Sequence, residues 1–216
     1  MFGYGPRTMS TGPIFGRGAA GFYRGLAADN SRDYFEAHRD VYQRAIRIPL
    51  EDLVDTAQER YGPGKVFRPN RDTRFSKDKS PYKLVGALWA GRVGGVYAQI
   101  SADGVWAGGG LYEPSRDQLA RAREALVAPR GRAAGALRAA IDVAAAGGLE
   151  FVGSPLKTAP RGVDKEHPQI ELLRMQRYAA MKRMPLKATQ GDVVAAWAAV
   201  EPLLAWVERY AGAAER

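Results

Sequence analysis

The sequence has no cysteine, and its two histidines, His38 and His167, lie far apart in the chain. Without cysteine the chain forms no disulfide, no zinc–thiolate or iron–sulfur site and no thiol nucleophile. Two distant histidines do not make a multi-histidine metal site. We therefore predict no metal site, although a metal held by carboxylates and water stays an alternative, and the sequence does not identify a cofactor.

Long apolar runs are also lacking. Residues 1–20 do not contain the apolar block that a secretory signal needs. The most apolar stretch, residues 193–207, is interrupted by Glu201 and Pro202, whereas a membrane-spanning helix needs about 20 apolar residues. These features predict a cytoplasmic protein with no membrane partner.

The composition is that of a globular protein with one core. Of the 216 residues, 46% are hydrophobic and 25% are charged, and this length suits one domain. Residues 1–20 are rich in glycine and proline and show no hydrophobic period. We therefore predict a flexible N-terminal arm at residues 1–20, followed by a single domain at residues 21–216.

The hydrophobic pattern changes from helical spacing to strand spacing and back. Apolar residues at helical spacing predict a helix that begins at Asn30 or Ser31, with Asn30 able to act as its cap. Pro49 is expected to break this helix and to start a second one. Between about residues 82 and 111, alternating apolar residues and an Asp-Gly turn indicate three adjacent strands. Helical patterns then return at Pro114 or Ser115, where Ser115 and Gln118 have the spacing of a capping box. Residues 175–184 are ambiguous between strand and helix. The sequence thus predicts an α+β fold, with an antiparallel β-meander packed against helices from both halves of the chain.

Positive charge is concentrated in two segments. The net charge is +9, and residues 65–83 and 157–187 each carry an excess of +5, which leaves −1 for the rest of the chain. If the two segments meet in space, they form one cationic surface. This charge favours an anionic partner, either a small molecule or nucleic acid, although no known nucleic-acid-binding motif is present. The sequence does not indicate an oligomeric state.

The first basic segment contains a long and unusual motif. The stretch from Arg68 to Tyr82 resembles the signature R-x-x-R-D-x-R-F-x-x-[DN]-K-x-x-Y of a bacterial family called domain of unknown function 2461. The resemblance extends over residues 22 to about 185 and implies a shared fold, with no catalytic role assigned to any residue. The fixed positions of the signature are all matched, by Arg68, Arg71, Asp72, Arg74, Phe75, Asp78, Lys79 and Tyr82.

The signature suggests a binding site for an anion. Guanidinium groups bind carboxylate and phosphate with two hydrogen bonds, and the arginines recur at every third residue or so. We expect Asp72 and Asp78 to orient these cations. The alternative is an internal network of salt bridges that ties the loop to the meander, with the aromatic residues as core anchors. The candidate anion-binding residues are Arg68, Arg71, Arg74, Lys79, Tyr82 and Lys157.

Two further features are candidates for chemistry. Gly109 and Gly110, in a run of three glycines between a strand and a helix, would let backbone N–H groups approach a phosphate, although tight packing explains them as well. His167, in a loop, is the best single candidate for acid–base catalysis, and its alternative role is to cap the helix after Pro168. No nucleophile motif is present, so the sequence does not decide whether the protein is an enzyme.

Three hypotheses follow from these residues. The first is a pocket for a small anionic or phosphorylated ligand, in which the signature arginines, the three glycines and the loop with Lys157 and His167 converge. The second is a structural or interaction protein whose signature is an internal clasp. The third is a nucleic-acid-binding module, with bases stacked on aromatic residues such as Phe67, Phe75, Tyr82 and Tyr178.

Overall fold

A computed structural model describes residues 12–16, 18–74, 77–128 and 131–212 of the chain. Its centre is a six-stranded antiparallel sheet with strand order β1-β2-β3-β4-β6-β5. The expected meander is confirmed as β2, β3 and β4, and most of the ambiguous residues 175–184 form β6, a strand beside β4. The strands are β1 (Gly64–Val66), β2 (Gly86–Gly91), β3 (Gly95–Ser101), β4 (Gly104–Leu111), β5 (Glu150–Phe151) and β6 (Tyr178–Met184).

Helices precede and follow the meander, as predicted. A segment of π-helix, Gln43–Arg47, joins α3 to α4. Within the part of the chain that the structure describes, no helix is long and apolar enough to cross a membrane. The α-helices are α1 (Gly18–Ala28), α2 (Arg32–Ala37), α3 (Arg39–Tyr42), α4 (Ile48–Tyr61), α5 (Arg116–Val127), α6 (Arg132–Ala146), α7 (Ile170–Leu173), α8 (Gln190–Ala199) and α9 (Glu201–Tyr210).

Helices from both halves of the chain pack on the same face of the sheet. A Cβ atom added to Gly86 would lie within 3.1 Å of side-chain atoms of Tyr23 and Leu50. A Cβ atom added to Gly109 would lie 3.1 Å from Val200, between α8 and α9. Alternation along β2, β3 and β4 puts both glycines on the side of the buried residues Val96, Ala98 and Ile100. The core is therefore one layer between this face and the helices.

The prediction of a flexible arm over residues 1–20 is wrong for its last part. Helix α1 begins at Gly18, and Phe15 and Ala19 are buried in the core. Ala19, Phe22 and Leu26 recur at helical spacing and bury one face, a period that the surrounding glycines obscure in the sequence. Residues 1–11 of the predicted arm lie outside the described residues.

Pro49 lies at the start of a second α-helix, as predicted, but it does not interrupt the helical path of the chain. It occupies the first turn of α4, directly after the π-helical segment Gln43–Arg47. Proline has no amide hydrogen, and its ring collides with the carbonyl four residues earlier in a regular helix. The wider π turn relieves this conflict, so the chain continues as helix from Arg39 to Tyr61.

Candidate functional site

The signature residues form a closed loop between β1 and β2. The backbone N–H of Arg71 donates to the carbonyl of Pro81, and the N–H of Lys83 donates to that of Pro69, both at 2.8 Å. These bonds join the two ends of the loop at Asn70 and Tyr82, which form an isolated antiparallel bridge. We call residues 68–83, apart from Phe75 and Ser76, which lie outside the described residues, the signature loop.

Asn30 attaches the signature loop to the N-terminal helices. Its side-chain amide accepts a hydrogen bond from the N–H of Tyr82 at 3.0 Å and donates one to the carbonyl of Tyr82 at 3.1 Å. The ring of Tyr82 stacks on that of Phe35, with centroids 4.2 Å apart and planes inclined by 10°. Tyr82 is buried. It therefore anchors the loop, and its ring is not on the surface where an anion would bind.

The two carboxylates of the loop bind two of its arginines. Asp72 accepts from Arg74 with both oxygens, at 3.0 Å from Nε and 2.7 Å from a terminal nitrogen. This contact lowers the pKa of Asp72. The Arg74 side chain remains 77% exposed. Arg74 is therefore held in one orientation while most of its surface faces solvent.

Asp78 has a similar arrangement. It forms an ion pair with Arg71, and one of its oxygens accepts from the backbone N–H of Ser80 at 2.9 Å. Contacts with the side chain and backbone of Ser80, and then with Arg71, lower the pKa of Asp78 from 3.8 to about 2. Asp78 is therefore ionised at neutral pH and fixes the guanidinium of Arg71.

The remaining cations of the segment exceed its carboxylates. Arg68 and Lys77 are exposed, and neither forms an ion pair with another described residue. The ammonium of Lys79 donates to the carbonyl of Thr73 at 2.9 Å and stays at the surface. Seven basic residues against two acidic ones give residues 65–83 their excess of +5. The signature loop thus has a surface of net positive charge that includes two paired carboxylates, and it is not a network of salt bridges with zero net charge.

The structure does not bring the other predicted site residues to this loop. Lys157 is exposed in the segment that follows β5, the strand at the opposite edge of the sheet from β1. Its carbonyl accepts from Arg174, whose Nε also donates to the carbonyl of Leu156. Arg174 thus fixes that segment against α7. The expected convergence of Lys157 with the signature arginines on one concave site is not found.

Gly109 and Gly110 lie inside the sheet. They pair with Val96 and Gly95 on one side and with Ala180 and Ala179 on the other. A Cβ atom on Gly109 would lie 2.6 Å from the carbonyl oxygen of Gly95, and one on Gly110 would lie 2.2 Å from that of Tyr178. The two glycines are buried, at the end of β4 away from the signature loop. Close approach of neighbouring strands, and not a phosphate, requires glycine there.

His167 acts as a local hydrogen-bond acceptor. Its Nδ1 accepts from the backbone N–H of Gln169 at 3.0 Å, just before α7. This contact assigns the proton of the neutral ring to Nε2. The bond is made to Gln169, the N-cap residue of α7, so His167 supports the start of this short helix without being its N-cap. No partner for acid–base chemistry faces His167 among the contacts of the described residues.

Two cavities of the structure lie away from the signature loop. One, of about 210 Å³, is lined by Arg60, Tyr61, Arg92 and residues of α9. The other, of about 390 Å³, lies between α6 and α9. Within the described residues, no group of three or more His, Asp or Glu side chains is placed to hold a metal ion. The loop cations Arg68, Arg74, Lys77 and Lys79 are exposed, so an anion that contacts them would lie on an open surface.

Sequence reasoning missed the role of Asn30. At the start of a helix it was expected to act as a cap, but Ser31 caps α2 by accepting from the N–H of Tyr34 at 3.1 Å. Asn30 binds Tyr82 instead, 52 residues along the chain. The available signal was an asparagine directly before a residue that already serves as a cap, which leaves its amide free for another role.

The fold and the loop define an α+β protein with helices on one sheet face and an exposed basic loop. A family model described as "Conserved hypothetical protein (DUF2461)" matches residues 18–206. The chain belongs to this family, as the signature indicated. A comparison with curated proteins and a comparison with solved structures gave no match.

Proposed function

We propose that the protein binds a phosphate-bearing anion on the exposed surface of the signature loop. The observation that carries this proposal is the excess of +5 on a segment whose only two carboxylates orient Arg71 and Arg74, while their side chains stay 34% and 77% exposed. Guanidinium groups held in place bind phosphate with less loss of side-chain freedom than mobile ones.

The anchored ends of the loop support the same function. Backbone hydrogen bonds of Arg71 and Lys83 join the two ends of the loop, and the side chain of Asn30 binds the backbone of Tyr82. These contacts fix the backbone that carries the cations. Arg68 and Lys77 are exposed and form no ion pair with another described residue, although the charge of Arg68 helps to lower the pKa of Asp72. Both side chains are therefore accessible to a ligand. The proposed ligand contacts are therefore Arg68, Arg71, Arg74, Lys77 and Lys79.

Thermal unfolding with added ligand tests this function. Inorganic phosphate, pyrophosphate and short-chain polyphosphate are titrated against the wild type and against the double variant Arg68→Gln/Lys77→Gln. A ligand at 100 times its Kd raises the free energy of unfolding by about 2.7 kcal/mol, which shifts Tm measurably. We expect the wild type to respond, and the double variant to melt normally without ligand and to show a smaller shift at each ligand concentration.

The matched control removes the same charge elsewhere. Arg116 and Arg132 are exposed at the starts of α5 and α6. The variant Arg116→Gln/Arg132→Gln has the same net charge as the loop variant and should respond like the wild type. If the ligand-induced shift in Tm fell equally in both variants, phosphate binding would depend on the net charge of the protein and not on the signature loop.

A structural clasp is the second candidate function of the signature. It is favoured by the contacts of Tyr82, which is buried, stacked on Phe35 and clamped by Asn30. Under this alternative, no phosphate compound shifts the Tm of the wild type, because the loop cations bind no ligand. The two candidates therefore give opposite results in the same titration.

A further inference from the structure

The face of the sheet away from the helices carries aromatic rings. Side chains alternate along a strand, so residues next to the buried Val96 and Ala98 lie on the other face. Trp89 lies opposite Tyr97, and Trp106 lies opposite Gln99, in directly paired positions of β2, β3 and β4. We call this side the open sheet face.

The rings on the open sheet face are partly accessible. Trp89, Tyr97 and Trp106 are each neither buried nor fully exposed, in contrast to the buried Trp197 and Trp206. A Cβ atom added to Gly95 would lie 2.6 Å from two indole atoms of Trp89. The indole therefore lies across the neighbouring strand, along the sheet surface. An aromatic ring in this position offers its outer face as a stacking platform.

Basic groups lie beside aromatic rings at both sides of this face. At the β1 side, the ammonium groups of Lys65 and Lys83 lie 5.6 and 5.8 Å from the centroid of Phe67. At the β6 side, the guanidinium of Arg177 lies 4.2 Å from the centroid of Tyr112. Lys83 is the last residue of the signature loop and Phe67 directly precedes it, so the open sheet face and the loop form one continuous basic surface.

Arg183 adds a further cation within the face. It is exposed and is paired across the strands with Trp106. Aromatic side chains flanked by cations bind single-stranded nucleic acid, because bases stack on the rings while phosphates bind the charges. Bases in a duplex are already stacked on each other and are not available to a sheet surface.

We propose that the open sheet face binds single-stranded nucleic acid, with bases stacked on Trp89 and Trp106 and phosphates bound by Lys65 and Arg183. This inference rests on the proposed function, because the signature loop supplies further phosphate contacts to the same strand. It differs from the sequence hypothesis in its stacking residues, since Tyr82 and Tyr178 are buried in the core.

The spacing of the two tryptophans suits separate bases. Trp89 on β2 pairs with Tyr97 on β3, which in turn pairs with Gly108 on β4. Trp106 on β4 therefore lies two strands away from Trp89 and is offset from it by two residues along the strand. With about 4.8 Å between strands and about 3.4 Å per residue, the two Cα positions are roughly 12 Å apart. One base cannot cover both rings, so each tryptophan serves its own nucleotide.

Tryptophan fluorescence and fluorescence anisotropy test this inference together. Two of the four tryptophans of the chain, Trp197 and Trp206, are buried at 0% and 3% exposure. Labelled homopolymers of thymidine or uridine nucleotides, and a duplex of the same length, are titrated against the wild type. We expect single strands to bind and to quench the fluorescence, and the duplex to bind more weakly. The two homopolymers distinguish DNA from RNA.

Substitutions of Trp89 and Trp106 test whether their rings bind the bases. Trp89→Leu and Trp106→Leu should each weaken single-strand binding by roughly five- to a hundredfold, and each should remove part of the quenching. Lys65→Gln should lower the slope of log affinity against log salt by about 0.7. Tyr210→Leu, a substitution on α9, is the matched control and should bind like the wild type.

The outcomes separate this inference from the proposed function. If polyphosphate binds but single strands neither quench the fluorescence nor depend on Trp89 and Trp106, the inference is wrong and the anion-binding function stands. Equal affinity for duplex and single strand also overturns it. If neither polyphosphate nor single strands bind the folded wild type, both proposals fail. Melting curves of each variant confirm that it is folded before binding is compared.

Discussion

Asn30 and Tyr82 are joined by two hydrogen bonds, through which one side-chain amide satisfies both backbone groups of a buried residue. The contact imitates a pair of bonds in a β-ladder. It couples the start of α2 to the end of the signature loop, two stretches of the chain that the sequence analysis treated separately. The position of the loop cations therefore depends on a residue outside the loop.

Loss of this clamp should destabilise the protein. We expect Asn30→Ala to lower the free energy of unfolding by about 2 kcal/mol, because two hydrogen bonds to a partly buried backbone are lost. Urea unfolding measures the change. Asn70→Ala is the control, since Asn70 is exposed and meets Tyr82 through the backbone bridge. Equal stability of the two variants would mean that the side chain of Asn30 does not hold the loop.

The lowered pKa of Asp78 predicts how the stability of the protein depends on pH. Because folding lowers this pKa from 3.8 to about 2, the ionised group stabilises the fold above pH 4, and this contribution is lost as the pH falls towards 2. In Asp78→Asn, stability should therefore fall less steeply between pH 4 and pH 2 than in the wild type. Unfolding in urea at several pH values measures both slopes, and parallel curves would contradict the assignment.

The cause of this shift is testable separately. The hydrogen bonds with the side chain and backbone of Ser80 lower the pKa of Asp78 more than the ion pair with Arg71 does. Ser80→Ala removes the side-chain contact and keeps the backbone hydrogen bond, and Arg71→Gln removes the ion pair, so each variant should raise that pKa. An NMR titration of the carboxyl carbon measures both values. A larger rise in Arg71→Gln would show that the ion pair dominates.

The glycines of β4 should prove structural. In Gly109→Ala the new methyl group would lie 2.6 Å from the carbonyl oxygen of Gly95, so we expect a loss of about 3 kcal/mol in stability. Gly135→Ala is the matched control, because a Cβ there meets nothing within 4 Å on helix α6. That variant should gain about 0.5–1 kcal/mol. Thermal unfolding compares the two, and a normally stable Gly109→Ala would contradict the packing role.

Local patterns predicted much of the fold. Ser115 and Gln118 form the expected capping box of α5, because both partners lie within one turn. The alternation of Val96, Ala98 and Ile100 with polar or aromatic neighbours predicted β3. These features depend on residues a few positions apart, and such spacing is visible in the chain itself.

Features that depend on distant contacts were not predictable in the same way. The position of β6 beside β4 depends on backbone pairing between residues about 70 apart, such as Gly109 with Ala180. That pairing, and not a phosphate, explains the three glycines. The role of Asn30 likewise depends on a partner 52 residues away. The basic signature was visible from the sequence, whereas its separation from Lys157 and His167 follows from the order of the strands.

The most direct test of the central claim is calorimetric titration of pyrophosphate into the wild type and into Arg68→Gln/Lys77→Gln. The account predicts saturable binding to the wild type and at least roughly tenfold weaker binding to the variant, because charged hydrogen-bonding partners are removed. The Arg116→Gln/Arg132→Gln control should retain the affinity of the wild type. Equal affinity in all three proteins, or no binding to the folded wild type, would contradict the claim that the signature loop is an anion-binding surface.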